Sequence, residues 1–178
     1  MMKKVIVFAG SNSINSINKQ LAVYTANKIN NVVLEVLDLN NYDLPLYSID
    51  HEKIEGIPVA AESFLSKIKD ADGIVLSLAE HNGAYTAVFK NIFDWMSRID
   101  SKLWSEKPML LMATSPGARG GATVLEIAKN RFPYMGGNII TSFTFPKFND
   151  NFNEGRVVNA DLELQINKAV KQFENHLK

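Results

Sequence analysis

Apolar positions along this chain fall into two patterns. Short unbroken apolar blocks recur at Lys4–Ala9 (KVIVFA), Val32–Leu37 (VVLEVL), Gly73–Ala79 (GIVLSLA), Met109–Thr114 (MLLMAT) and Asn138–Phe145 (NIITSFTF). Blocks of this kind predict strands covered on both faces of a sheet. Between them apolar residues return every three or four positions, the helical period. This spacing predicts helices from about Ser16 to Ile29, with Ile17, Leu21, Thr25 and Ile29 on one face, then Val59 to Ile68, Ala84 to Arg98, Ala122 to Arg131 and Asp161 to Leu177.

Five strands alternating with five helices predict an α/β three-layer sandwich with a parallel sheet and right-handed crossovers. Two doubly wound strand orders satisfy the pattern, and both put ligands beyond the carboxyl ends of the strands at the switch point. Two stretches, Asn40–Gly56 and Pro146–Asn159, are too polar or irregular for an element and are expected to be functional loops. A length of 178 residues with 46% hydrophobic composition supports one domain over 1–178.

Charge and composition then narrow the partners. Nineteen basic and nineteen acidic residues cancel, so no global field draws nucleic acid or an anionic membrane. With no cysteine, disulfides, thiolate nucleophiles, iron–sulfur clusters and cysteine-based zinc sites are excluded. No apolar run approaches the roughly 20 residues of a membrane span, and Met1–Lys4 leads into the first strand without a signal-peptide pattern. The expectation is a soluble cytoplasmic protein whose partners are small molecules held in a pocket.

Three loops follow successive strands of the predicted central sheet. The first, FAGSNSINSINKQL at residues 8–21, carries far more Ser and Asn than one helix cap requires. A helix start exposes unpaired N–H groups and a partial positive charge, and the hydroxyls of Ser11, Ser13 and Ser16 with the amide of Asn18 would extend that set into a phosphate seat. After the third strand, Glu80, His81, Asn82 and Gly83 offer backbone groups and one glycine that lets a flat ligand approach. Glu80 and His81 are adjacent, which disfavours them as joint metal ligands, and no metal is expected. After the fourth strand, TSPGARGGATVL at residues 114–125 concentrates glycine in a turn. Together the loops predict one shallow site for a ligand with a phosphate at one end and a planar ring at the other. The helix between the second and third loops carries an apolar stripe expected in the core or at a subunit interface, and Phe89, Phe93 and Trp95 are bulky for a monomer surface, which favours dimerisation.

The motifs that are absent matter as well. There is no G-x-x-x-x-G-K-[ST], no G-x-G-x-x-G in the first turn and no G-x-S-x-G. Nucleotide triphosphate hydrolysis, classical dinucleotide binding and serine hydrolysis therefore have no support.

In combination these residues resemble the NADPH-dependent FMN reductase family, which has the flavodoxin-like fold and includes quinone, chromate and azo-dye reductases. The opening motif G-S-x-R-x-x-S-x-N-x-x-L is matched by Gly10, Ser11, Ser16, Asn18 and Leu21, with Ser13 where the family has arginine. The motif P-E-Y-N-x-S-x-x-x-x-L-K-N-x-x-D-W is represented by Ala79, Glu80, His81 and Asn82, then Lys90, Asn91, Asp94 and Trp95. The turn S-P-G-x-x-G-G survives as Ser115, Pro116, Gly117, Gly120 and Gly121, and Leu44–Tyr47 (LPLY) resembles the loop after the second strand.

The resemblance implies strand order 2-1-3-4-5 and an FMN phosphate at Ser11, Ser13, Ser16, Ile17 and Asn18. It places the isoalloxazine ring along Glu80, His81, Asn82 and Gly83, with Ser115, Gly117, Gly120 and Gly121 near its far side. It implies hydride transfer from NADPH or NADH through FMN to a flavin, quinone or similar small oxidant, with no catalytic side chain, and a homodimer or homotetramer. Ser13 removes a cation from the phosphate, so either FMN binds more weakly or Lys19, Arg119 or a partner-chain residue compensates. The rival reading is a flavodoxin-type electron carrier. Such carriers have a threonine-rich loop and an acidic face, unlike the neutral charge and Ser/Asn loop here.

Overall fold

In a computed structural model describing residues 2–177, five parallel strands form one sheet in the order β2-β1-β3-β6-β7. These are β1 (Lys3–Gly10), β2 (Val32–Val36), β3 (Gly73–Leu78), β6 (Pro108–Thr114) and β7 (Asn138–Phe145). This is the flavodoxin-like order 2-1-3-4-5. All of β3, and β1 and β6 from their third and second residues onward, are buried, because helices cover both faces. On one face, α1 (Ile17–Ala26) and α7 (Ala160–Glu174) pack Leu21, Ala22, Ile166, Val170 and Phe173 against Val5, Val7, Val75, Leu110 and Met112. On the other, α3 (Val59–Asp70), α4 (Ala87–Ile99) and α5 (Ala122–Arg131) pack Phe64, Phe89, Ile92 and Val124 against Ile6, Phe8, Ile74, Leu76 and Leu111. Alternate side chains of each central strand thus enter opposite cores, which is why the apolar blocks are unbroken.

The loose stretches contain more order than their composition predicts. Asn40–Gly56 holds the helix α2 (Ile49–Glu55), started by Ser48, whose hydroxyl accepts from the His51 N–H at 3.1 Å. Pro146–Asn159 holds the short helix α6 (Phe148–Asn151) and the hairpin of β8 (Phe152–Asn153) and β9 (Arg156–Val157). Phe148 and Phe152 stack at 4.8 Å, and both join the core under α1 and α7. Two buried aromatics therefore order a segment whose polarity argues for a loop.

One expectation needs correction and another is narrowed. The helix expected from Ala84 begins at Ala87, because β4 (Glu80–His81) and β5 (Ala84–Tyr85) precede it as a tight hairpin. Asn82 (φ 52°) and Gly83 (φ 76°) form its turn, the Asn-Gly pair that favours two-residue hairpins. Of the two places expected for Phe89, Phe93 and Trp95, the structure selects the core over a subunit interface, since they are at most 5% exposed within the single chain. Phe89 and Phe93 pack with Tyr85, Trp104 and Phe132 in one aromatic cluster, while Trp95 meets Tyr47 edge-on at 5.0 Å.

Candidate functional site

Helix α1 begins at the carboxyl end of β1. Ser16 caps it, its hydroxyl accepting from the Lys19 N–H at 3.2 Å. The N–H groups of Ile17 and Asn18, the first two of the helix, have no partner among the described residues. The Ser11 hydroxyl oxygen accepts from the Ser13 N–H at 3.2 Å and keeps its own proton for another acceptor. No acidic residue lies between Gly10 and Gln20. Free donors, the positive end of a helix dipole and no local carboxylate suit this loop to an anion.

Asn18 enters the seat through its backbone, because its side chain is committed elsewhere. The side chain is buried: its Nδ2 donates to the Thr114 carbonyl at 3.2 Å, and its Oδ1 accepts from the Thr114 N–H at 3.1 Å and the Ser77 hydroxyl at 2.7 Å. One side chain thereby ties α1 to β3 and β6. Lys19 is also committed. Its Nζ lies 2.5 Å from Asp38 Oδ2, and this hydrogen bond holds the Asp38 carboxyl below the usual carboxylate range. Arg119 is exposed, donates to the Thr123 hydroxyl at 3.1 Å and has no acidic partner among the described residues. Of the two named substitutes for the missing arginine, Arg119 is the one with an uncommitted charge.

The second loop is the β4–β5 hairpin. Glu80 does not face the cavity as a free acid; its Oε2 accepts from the Val124 N–H at 2.9 Å. This caps α5, whose own N-cap residue Gly121 has no side chain. The third loop is built by close backbone packing. A Cβ on Gly120 (φ +57°) would come within 2.8 Å of Phe145 and Pro146 backbone atoms, so this glycine serves the approach of β7's end. The Lys147 N–H donates to the Gly117 carbonyl at 2.9 Å and the Phe148 N–H to the Ser115 carbonyl at 3.1 Å, pinning the loop from the far side.

These loops meet around a cavity of about 230 Å3 lined by Ser11, Ser13, Asn15, Ser16, Ile17, Asn18, Ala79, Glu80, His81, Thr114, Ser115 and Pro116. Of the residues singled out from the sequence, Ser11, Ser13, Ser16, Ile17, Asn18, Glu80, His81 and Ser115 converge here. Asn82, Gly83, Gly117, Gly120 and Gly121 do not line it; they shape the turns that carry the lining residues. Asn15 and Thr114 carry no sequence signal of their own beyond the place of Thr114 at a strand end, and Ala79 and Pro116 are motif positions not expected to line the site. Larger cavities of about 400 and 480 Å3 adjoin the first loop at Asn12 and at Asn15–Ser16. Size does not select among them; the convergence of free donors on the smallest does.

The remaining motif residues are structural. Asn91 donates from Nδ2 to the carbonyls of Leu44 and Pro45 at 3.4 and 3.0 Å and accepts from the Tyr47 N–H at 2.9 Å. Trp95 Nε1 donates to the same Pro45 carbonyl at 2.8 Å. The K-N-x-x-D-W and LPLY segments are therefore two halves of one clamp.

A parallel sheet in the order 2-1-3-4-5, with a donor-rich loop after its first strand and two further loops closing on it, is the architecture of the flavodoxin-like α/β class. The chain belongs to the NADPH-dependent FMN reductase family, whose model matches residues 3–150. It is 35% identical over 120 residues to the quinone reductase of Escherichia coli strain K12, covering 67% of this chain and 63% of that protein. It is 36% identical over 124 residues to a 2-hydroxy-1,4-benzoquinone reductase of a Burkholderia species, covering 68% and 66% respectively. The matches thus span just under two thirds of these curated relatives. Among solved structures it is similar to the flavoenzyme NAD(P)H:(acceptor) oxidoreductase FerB of Paracoccus denitrificans, with TM-score 0.77, 25% identity and coverage of 98% and 97% of the two chains.

Proposed function

We propose that this protein is an FMN-dependent NAD(P)H oxidoreductase acting on a quinone, a flavin or a similar small oxidant. The observation that carries the reading is the convergence of loops from β1, β3 and β6 on one cavity whose phosphate end offers unpaired N–H groups and hydroxyls. The residues present suit FMN: no acid lies between Gly10 and Gln20 to oppose a dianion, and Glu80, in the second loop, is turned onto α5. The family to which the chain belongs and the names of its relatives support the same activity.

When bound, FMN supplies the redox chemistry, taking a hydride from NAD(P)H and passing two electrons on to the oxidant. The chain's own part is to bind and orient. The N–H groups of Ile17 and Asn18, with the hydroxyls of Ser11, Ser13 and Ser16, hold the phosphate. The hairpin from Glu80 to Tyr85 forms one side of the ring site, with Asn82 and Gly83 at its tip, and Ser115–Gly121 forms the other. No side chain is assigned as proton donor. Tyr85, on the hairpin, is unsuited to that role, because burial raises its phenol above the ordinary range and its hydroxyl has no partner among the described residues.

The reading includes a cytoplasmic homodimer or homotetramer. Its support is a row of exposed apolar side chains, Leu46, Ile49, Ile54 and Val59, in the segment that precedes and begins α3. No described helix is long and apolar enough to cross a membrane. Sedimentation equilibrium decides the assembly, and a monomer at micromolar concentration would refute it.

The deciding experiment titrates the purified protein with FMN and then follows NADPH and NADH oxidation with a quinone. Saturable FMN binding with oxidation above the free-flavin rate is expected. Colourless protein without FMN affinity overturns the reading, and FMN binding without NAD(P)H oxidation favours an electron carrier.

A further inference from the structure

We propose that Glu80 is a positioning residue whose carboxylate locks the β4–β5 hairpin onto the start of α5, fixing the separation of the two walls of the ring site. The inference rests on the FMN reading of the cavity. One wall is Ala79–His81, from the end of β3, and the other is Thr114–Pro116, from the end of β6. The strands themselves are held in register by ladder bonds from Ile74–Met109 to Leu78–Ala113. Beyond Leu78 the chain leaves the sheet and turns into the hairpin, where no ladder holds it to its neighbour.

Among the described residues a single hydrogen bond crosses from the hairpin to α5, from the Val124 N–H to Glu80 Oε2 at 2.9 Å. It satisfies an N–H in the first turn of α5 that no side chain at the helix's own N-cap can reach. Helices are ordinarily capped by Ser, Thr, Asp or Asn just before the first turn, but that position is Gly121, in the left-handed region at φ +76°. A Cβ there would come within 2.9 Å of the Ala113 Cβ, so a local capping side chain is sterically excluded. The cap comes instead from Glu80, and the acceptor that satisfies the helix also fixes the hairpin. A carboxylate suits the place because it meets the positive end of the helix dipole.

The test titrates FMN and riboflavin into the full chain and into Glu80→Gln and Glu80→Ala, and measures amide hydrogen exchange of each protein without ligand. Glu80→Ala is expected to weaken FMN and riboflavin alike by about tenfold, the scale of a lost helix cap, and to speed exchange at Val124 and across residues 80–85. Glu80→Gln keeps a carbonyl acceptor and should stay within about threefold of the parent.

Three results overturn the proposal: Gln as damaging as Ala, FMN weakened while riboflavin is not, or hairpin exchange unchanged in Glu80→Ala. Should the alanine variant not fold, Glu80→Gln decides, because fast hairpin exchange in a variant that retains the acceptor also refutes the clamp. A parent protein that binds no flavin would overturn the functional reading alone; the exchange comparison would still judge the clamp.

Discussion

Trp95 donates its indole N–H to the carbonyl of Pro45 at 2.8 Å, joining the buried side of α4 to a loop fifty residues earlier in the chain. Asn91, one turn before, donates to that same carbonyl and to the carbonyl of Leu44 and accepts from the Tyr47 N–H. The loop's backbone is thus held in place while Leu46 between the clamped groups stays 81% exposed. A short loop rich in apolar residues is pinned by backbone hydrogen bonds, with the Leu46 side chain facing outward.

Removing the Asn91 amide leaves the Tyr47 N–H and the Leu44 carbonyl without partners in the chain. Asn91→Ala is expected to cost about 1–3 kcal/mol and to expose residues 44–47 to proteolysis. Urea denaturation and limited digestion measure the two effects; a resistant loop would show that packing of Tyr47 on Trp95 holds it unaided.

Asn18 has a structural burden separate from any ligand. Its three bonds to Thr114 and Ser77 lie between α1 and the centre of the sheet, so Asn18→Ala strands buried polar groups on β3 and β6. A loss of about 2–4 kcal/mol is expected, measurable by urea denaturation without FMN. A neutral outcome would place the structural weight elsewhere.

Ser13 stands where the family has arginine, and Lys19 is held by Asp38. Ser13→Arg should therefore tighten FMN by about three- to tenfold through a charge-assisted bond, leave riboflavin unchanged and steepen the salt dependence. Calorimetric titration at two salt concentrations tests it. Weaker FMN binding would mean that the seat has no room or need for a cation.

Acid stability should depend on Glu35, which sits between Lys4 at 2.5 Å and Lys67 at 2.8 Å. Hydrogen bonds from Lys4 and then Lys67 lower its carboxyl below the ordinary 4.5. A carboxylate with a depressed folded pKa contributes stability above its unfolded pKa and loses it as pH falls through the folded value. The urea midpoint should thus fall on acidification below about pH 4.5, and Glu35→Gln should lower it at pH 7 and flatten the acid limb. Equal acid slopes for variant and parent would exclude Glu35 as a contributor.

Much of the fold is legible because burial on both faces of a parallel strand leaves an unbroken apolar block, whatever the strand's neighbours. Much of the site is legible because loops at the carboxyl ends of such strands must meet. The hairpin is masked in the sequence although HNGA carries the Asn-Gly turn signal, because the helical stripe from Ala84 onward overlaps it. Helix α2 buries no residue and is held by the Ser48 cap and by the bonds of Glu52 to Tyr47 and Arg98, while the Phe148–Phe152 stack is held by core packing; apolar periodicity marks neither.

The sequence alone determined the alternation of strands and helices, the donor-rich first loop and the family motifs, all of which depend on neighbours a few residues apart. Only the tertiary structure decided that the Asn18 amide braces the sheet, that Glu80 caps α5, that Lys19 is held by Asp38, and that Phe89, Phe93 and Trp95 are interior. Each of those outcomes pairs a side chain with a partner from a distant segment. A polar group's role depends on which partner folding brings within hydrogen-bond reach, and local spacing carries no record of that choice.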